Sequence, residues 1–276
     1  MVSDMDKKIN LKYPVFMVHG MGFRDRRHIN YWGRIPHALE KLGCRVYYGC
    51  QDANASIESN GEIIAERIRE IIDETGAEKL NVIAHSKGGM EIRYVISTMG
   101  LGDLIASVTT MNTPHNGSET VDALMKRFHG LIRFGCRCTD LWMRILGDKR
   151  PDTYAAVQSF TTAYTKRFNE ENPDREGIYY QSYGFVMKNA FSDIFLAWTY
   201  PVVYHYEGEN DGLLAPRAVK WTNFRGVYRG NSNRGISHCD QVDLRRRRLT
   251  RKQGEGVSDM ADFYISVVRE LEKMGF

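Results

Sequence analysis

The chain has 276 residues, 42% of them hydrophobic, enough for one sizeable core or two small ones. Its 38 basic and 34 acidic side chains leave a net charge of only +4. No global field therefore points to nucleic acid. No apolar run reaches the ~18 residues of a membrane span, so no transmembrane segment is expected. The opening "MVSDMDKKIN" lacks the apolar core of a signal peptide. That favours the cytoplasm, with secretion the alternative if a leader has been removed. The cysteines, Cys44, Cys50, Cys136, Cys138 and Cys239, are odd in number and do not suggest a disulfide framework. The "CRC" at 136–138 lacks the partner ligands of a zinc site.

In chain order, "YPVFMVHG" reads as a buried strand ending at Gly20. Trp32, Ile35, Leu39 and Leu42 suit a helix, which Pro36 should break or restart. "CRVYYG" is a second strand. In "GEIIAERIREIIDETG", Ile64, Ile68, Ile71 and Ile72 share a helical face. "LNVIAH" and "ASVTTMNTP" follow as strands. From 118 to about 172 no convincing strand is found. "VDALMKRFHGLIRF" puts Val121, Leu124, Met125, Phe128 and Ile132 on one helical face, and "LWMRIL" and "TYAAVQSFTTAYTKRF" continue the helical pattern. "VVYHYEGE" and "FRGVYRG" are the last predicted strands, before a helix carrying Met260, Phe263, Tyr264, Val267, Val268 and Leu271.

Strands alternating with helices predict an α/β fold, a mostly parallel sheet covered on both faces. Right-handed crossovers then place the strand C-terminal ends along one edge, where α/β sites gather. One domain over 1–276 with a helical cap at about 118–175 is the economical division. The cap is either a packing layer or a wall of an acyl pocket, in which case Leu124, Phe128, Leu131 and Trp142 are its candidate lining. The charge run "RRRRLTRK" at 245–252 reads as a solvated loop rather than a nucleic-acid or membrane patch.

"NVIAHSKGGMEIRYV" moves from strand to helix through a tight turn at Ser86. A serine hydroxyl is a poor nucleophile unless it projects from the backbone toward a base. A sharp strand-to-helix turn does this, and demands small residues two before and two after. Here those are Ala84 and Gly88. The helix also aims its positive end at developing negative charge. This is the G-x-S-x-G nucleophile elbow with Ala for the first Gly, and acid and histidine should follow in that order.

Asp211, in "EGENDGLLAP", and His238, in "RGISHCDQVD", satisfy the order. His238 would take the Ser86 proton and deliver it to the leaving group. Asp211 would fix the imidazole tautomer and stabilise the imidazolium. Competing carboxylates are Asp240, Glu207 and Glu209, and Asp211 has a plain reading as a turn residue in "NDG". His85 is read as packing, and His19 and His115 as loop braces. The oxyanion needs two backbone donors, one from Lys87 and one from the loop "HGMGF", where Met21 is favoured and Gly22 is the alternative.

"PVFMVHGMGFRD", "LNVIAHSKGG", "MNTPHNGS", "GENDGLLAP" and "GISHCDQ" resemble the successive motif blocks of bacterial lipases and esterases of the α/β-hydrolase superfamily. The resemblance spans about 13–240 and is weakest in the cap. It implies Ser86, Asp211 and His238 as a triad, Met21 and Lys87 as the oxyanion hole, and His115 as structural. Two departures stand out. Many such lipases are secreted, whereas no signal sequence is seen here. Many also bind calcium beside the catalytic histidine. Asp240 fits the first ligand position there, but Leu244 stands where a Gln is expected, and only Asp193 offers a partner carboxylate. One or two carboxylates fall short of the 6–8 oxygens calcium takes. The zinc-binding insertion of some relatives also has no counterpart.

The expectation is a cofactor-free carboxylic-ester hydrolase acting on an acyl ester or acylglycerol through acyl-Ser86, with transient contact to a lipid interface. The rivals are a thioesterase, acyltransferase or amidase on the same triad, and a non-catalytic binding protein that retains the fold.

Overall fold

Six parallel strands form the sheet: β1 (Val15–Val18), β2 (Val46–Tyr48), β3 (Leu80–His85), β4 (Ile105–Met111), β5 (Tyr179–Phe185) and β6 (Phe224–Tyr228), in the order β2-β1-β3-β4-β5-β6. They belong to a computed structural model that describes residues 7–25, 30–231, 233–251 and 256–276. Most of the opening stretch, 1–6, and Lys252 at the end of the arginine run lie outside the described residues.

Period-two alternation sorts the sheet's two faces. Val15, Met17, Ile83 and Met111 pack with α1 (Ile35–Lys41) and α9 (Met260–Lys273) on one side. Phe16, Val18, Val82 and Ala84 pack with α2 (Ile57–Thr75) and α3 (Lys87–Ser97) on the other. Burial on both faces explains why these strands read as continuous apolar runs. Pro36 restarts the chain rather than breaking a helix: it sits in the first turn of α1, where its missing N–H costs nothing.

Two strand assignments are corrected. "VVYHYEGE" is not a strand but lies in α7 (Thr199–Glu207) and just beyond it. Pro201 falls in its first turn and Gly208 follows its end at φ 80°, the start and stop signals of a helix that β-branched and aromatic content obscured. The fifth strand is instead β5, "YYQSYGF". Its buried Gln181 and Ser182 spoil the apolar pattern, yet both are satisfied: Gln181 donates to Thr109 Oγ1 at 2.9 Å and Ser182 to the Trp221 carbonyl at 3.1 Å.

Between β4 and β5 lie α4 (Glu119–Ile145), α5 (Thr153–Gln158) and α6 (Thr162–Glu171). α4 departs from helical geometry at Phe128 (φ −124°, ψ 28°), which kinks it. Asp148 accepts from the Ala53 and Asn54 N–H groups, and Asp52 accepts from those of Lys149 and Arg150. These reciprocal caps clamp the α4–α5 connection to the 52–54 loop. The short α8 (Pro216–Val219) precedes β6.

Candidate active site

Ser86 ends β3 and opens α3 at φ 54°, ψ −128°, a strained conformation of the kind held at functional sites. The surroundings enforce it. A Cβ on Gly88 would lie 2.5 Å from the His19 and Val18 carbonyl oxygens, and one on Gly20 would lie 2.8 Å from Ser86 Cβ. Glycine at both positions lets α3 and the β1 loop close on the serine from two sides.

Asp211 lies in the loop between α7 and α8, beside the C-terminal end of β5 rather than just past a strand of its own. Five N–H donors converge on its fully buried carboxylate. Oδ1 accepts from the Leu213 and Leu214 backbone at 2.9 and 2.8 Å, which is the turn reading of "NDG". Oδ2 accepts from His238 Nδ1 at 2.6 Å, Gln241 Nε2 at 2.8 Å and Asn112 Nδ2 at 2.5 Å. One oxygen of Asp211 thus serves the turn and the other meets His238. Burial opposes ionisation of Asp211, but the facing His238 and the Leu213 and Leu214 donors outweigh it and hold the carboxyl below its ordinary range.

With Nδ1 bonded to Asp211, the His238 ring keeps Nε2 for another partner. The ring packs 4.5 Å from that of His85, the residue before Ser86. Among the described residues the Ser86 hydroxyl has no hydrogen bond, as in many unliganded sites whose catalytic contacts tighten with substrate. The competing carboxylates are engaged elsewhere. Asp240 bonds Ser237, Glu207 accepts from Ser118 and Thr120 at the start of α4, and Glu209 pairs with Arg229.

Gly22 is removed as an oxyanion donor. Its N–H donates to Asn54 Oδ1 at 3.1 Å and to the Ala53 carbonyl at 3.4 Å. Met21 and Lys87 remain. Asn54 is the residue clamped by Asp148, so the β1 loop is tied to the α4–α5 connection. The Lys87 side chain turns inward and pairs with buried Glu91, which also accepts from Asn60 and Gln51. Gln51 in turn donates to the His19 carbonyl at 3.0 Å, bracing the loop that carries Met21. His19 and His115 do brace loops, through Gly20 and Gln51, and through Thr110 and Arg93.

Sequence reasoning missed Asn112, Gln241 and the role of His85. Gln241 donates to Asp211, so its Oε1 accepts from His85 Nε2 at 3.0 Å. His85 Nδ1 then accepts from the Tyr31 hydroxyl at 2.7 Å. His85 is therefore neutral, and burial, with His238 nearby, holds its pKa well below the ordinary value. Burial does the same to His115, with help from Arg93.

These depressed histidines set a pH dependence. In the unfolded chain each protonates near pH 6.5, while the folded chain resists. Their contribution to stability is complete above that pH and declines as pH falls below it. The melting temperature should hold steady above about pH 7 and fall from about pH 6.5 downward. His115→Gln should flatten that decline in calorimetry. A wild-type midpoint unchanged to pH 5 would contradict the assignment.

An apolar cavity of about 260 Å³ opens beside His238, walled by Met21, Phe23, Phe195, Leu196, Leu213 and Val242 among others. The predicted lining from α4 is corrected here: Leu124, Phe128, Leu131 and Trp142 do not border it. Phe128, Leu131 and Trp142 are exposed to solvent. The wall is assembled from several separate loops, with Met21 and Phe23 after β1, Phe195 and Leu196, Leu213, and Val242 and Leu244, so no one periodic segment signals it.

Comparison with known proteins agrees with this architecture. Residues 13–134 match the family model described as the alpha/beta hydrolase fold. A triacylglycerol lipase 2 of Saccharomyces cerevisiae is 28% identical over 263 residues, covering 90% of this chain and 75% of the yeast protein. A triacylglycerol lipase of Vibrio cholerae is 32% identical over 177 residues, 59% of this chain. The match spans only 55% of that bacterial protein's length. In structure, a Staphylococcus hyicus lipase superposes with a TM-score of 0.68 at 17% identity, covering 99% of this chain and 98% of its own. A metagenomic carboxyl esterase gives 0.72 at 15% identity, covering 97% of this chain and 78% of its own. With the parallel sheet, the elbow and these similarities together, the chain has the α/β-hydrolase fold and is similar in sequence to triacylglycerol lipases of yeast and bacteria.

Proposed function

We propose that the protein hydrolyses carboxylic esters with Ser86 as nucleophile, and that its substrates are acyl esters or acylglycerols. The observation that carries this is the Asp211–His238 bond of 2.6 Å, with the His238 ring packed against that of His85, the residue before Ser86. In this reading His238 Nε2 takes the Ser86 proton as Oγ attacks the ester carbonyl. The Met21 and Lys87 N–H groups receive the oxyanion. His238 then protonates the departing alkoxide, leaving acyl-Ser86. Water attacks that ester with the same base, and the acid leaves.

The apolar cavity supports an acyl group as the recognised part. Its volume is slightly below the ~300–1,000 Å³ of pockets for drug-sized ligands, which favours chains of modest length. Around its mouth the 190–198 segment exposes Phe191 at 92%, Ile194 at 81% and Trp198 at 74%. Apolar exposure on that scale suits a lipid surface. Among the described residues no helix is long and apolar enough to cross a membrane, so such contact would be peripheral. All the cysteines are free, which fits a reducing compartment such as the cytoplasm.

A panel tests the substrate class: soluble short-chain esters, emulsified long-chain triglyceride, thioesters and amides, compared by kcat/KM. Oxygen esters should lead, with short and medium chains ahead of long ones. Faster turnover of thioesters or amides would move the assignment to another acyl transfer. A fluorophosphonate probe should label Ser86, and its failure on folded protein would favour a binding role.

A further inference from the structure

Many of the lipases this chain resembles bind calcium beside the catalytic histidine, where the candidate carboxylates here are Asp193 and Asp240. The two carboxylates do come together, and both are buried. What bridges them is Arg245. Its Nη2 lies 3.0 Å from Asp193 Oδ2 and its Nε 3.6 Å from Asp240 Oδ1. Nη2 also donates to the Ser192 carbonyl at 3.3 Å. The remaining carboxylate positions are taken by N–H and O–H donors. Asp193 Oδ1 accepts from Phe195 N at 3.0 Å, Asp193 Oδ2 from Ser237 Oγ at 2.5 Å, and Asp240 Oδ2 from Ser237 N at 3.2 Å. A calcium ion bonds oxygens at 2.3–2.6 Å and needs 6–8 of them. Here a fixed positive charge stands against those oxygens, and donors rather than lone pairs face them. The residues do not fit the metal.

We propose that the Arg245 guanidinium takes the place of that divalent cation, so that this chain holds its histidine loop by a covalently attached charge instead of an exchangeable one. Geometry gives the consequence. Arg245 follows the loop that carries His238, Asp240 and Gln241, and it grips the 192–193 backbone and carboxylate directly before Phe195 and Leu196. It therefore joins the proton-transfer side of the site to the wall of the acyl cavity. Arg245 is a positioning residue, acting through His238 rather than on substrate. The planar fork of arginine suits two carboxylates and a carbonyl at once, which the point charge of lysine does not. Arg245 thus separates itself from the rest of the 245–252 run, as an internal strut rather than a solvated charge.

The test uses the whole protein and two readouts, melting temperature and ester turnover. In the wild type, neither EDTA nor calcium chloride should move either one. Arg245→Ala leaves two buried carboxylates without their counter-charge, and its midpoint should fall by about 5–10 °C with a loss in kcat larger than any change in KM. Calcium at about 10 mM, above the ~10⁻⁴–10⁻³ M of weak protein sites, should neither raise the midpoint of this variant nor recover turnover, because two carboxylates faced by N–H and O–H donors make no calcium site. Arg245→Lys should fall between the two and serves as the readable variant if the alanine form does not fold. A wild type weakened by EDTA, an Arg245→Ala protein with unaltered midpoint, or a variant restored by calcium would each overturn the proposal. The inference rests on the ester-hydrolase reading only for the turnover arm. Midpoints and probe labelling of Ser86 separate its failure from a failure of that reading.

Discussion

Ser86→Ala should lower ester turnover by about 10⁶-fold while leaving the fold intact. The size of the loss follows from a cooperative unit. Without the hydroxyl, His238 has nothing to deprotonate, and the path through a covalent intermediate closes. What remains is the binding cavity and the oxyanion donors, worth about 10³–10⁴ over water in comparable sites. Stability should change little, because the substitution removes one oxygen that has no hydrogen bond among the described residues. Substrate affinity should also persist, since the cavity walls are untouched. The measurement is kcat on a soluble chromogenic ester, beside intact-protein mass after fluorophosphonate treatment. Residual turnover above about 1% of wild type would place the nucleophile elsewhere on this scale of effects. The obvious substitute, Cys239, borders the same cavity, but burial, with Asp193, Asp211 and Asp240 nearby, pushes its thiol up to about 12. A thiol so protonated is a poor nucleophile near neutrality.

The contrast between what the sequence showed and what it hid has a physical basis. The elbow was legible because steric closeness leaves few choices: Gly20 and Gly88 face Ser86 Cβ and the β1 carbonyls at distances no larger side chain tolerates. Asp211 and His238 were legible through their order in the chain and their place at loop ends. The residues that orient them were not. Asn112 and Gln241 reach Asp211 across 99 and 30 positions of sequence, and no local period encodes such a contact. Asn112 did carry one signal, an asparagine at a strand end, where its φ of 39° is tolerated better than in most residues. His85 reads as packing in the sequence because a buried histidine usually is, and its bond to Gln241 depends on a loop more than 150 residues away.

The strand errors have a related cause. Tyr and Val carry high β propensity, but in α7 the helix signals Pro201 and Gly208 prevailed. In β5 the apolar pattern was broken by polar residues whose partners lie on neighbouring elements. The face read on α4 is half-buried at Val121, Leu124, Met125 and Ile132 and exposed at Phe128, and periodicity does not say what covers it. Cavity walls are set by tertiary packing, and here they come from several loops far apart in the chain.

Asp211→Asn should cost about 10⁴-fold in kcat, the loss seen when a triad histidine is held in the wrong tautomer. The reasoning is specific to this carboxylate. All five groups aimed at Asp211 are donors: His238, Asn112 and Gln241 on Oδ2, Leu213 and Leu214 on Oδ1. An asparagine replaces one acceptor oxygen by an NH₂, and neither orientation suits. With NH₂ at the Oδ2 position, it meets three donors. His238 can answer only by moving its proton to Nε2, the nitrogen that must be free to take the Ser86 proton. With NH₂ at the Oδ1 position, the "NDG" turn loses both caps, at about 1–3 kcal/mol for each buried donor left unpaired. The first orientation predicts slow turnover on a stable fold, and the second a lowered melting temperature. Raising pH should not rescue the first, because the defect is tautomeric rather than a shifted protonation. Turnover within about tenfold of wild type, measured from pH 6 to 9, would mean that Asp211 supports only the turn, and that another group orients His238.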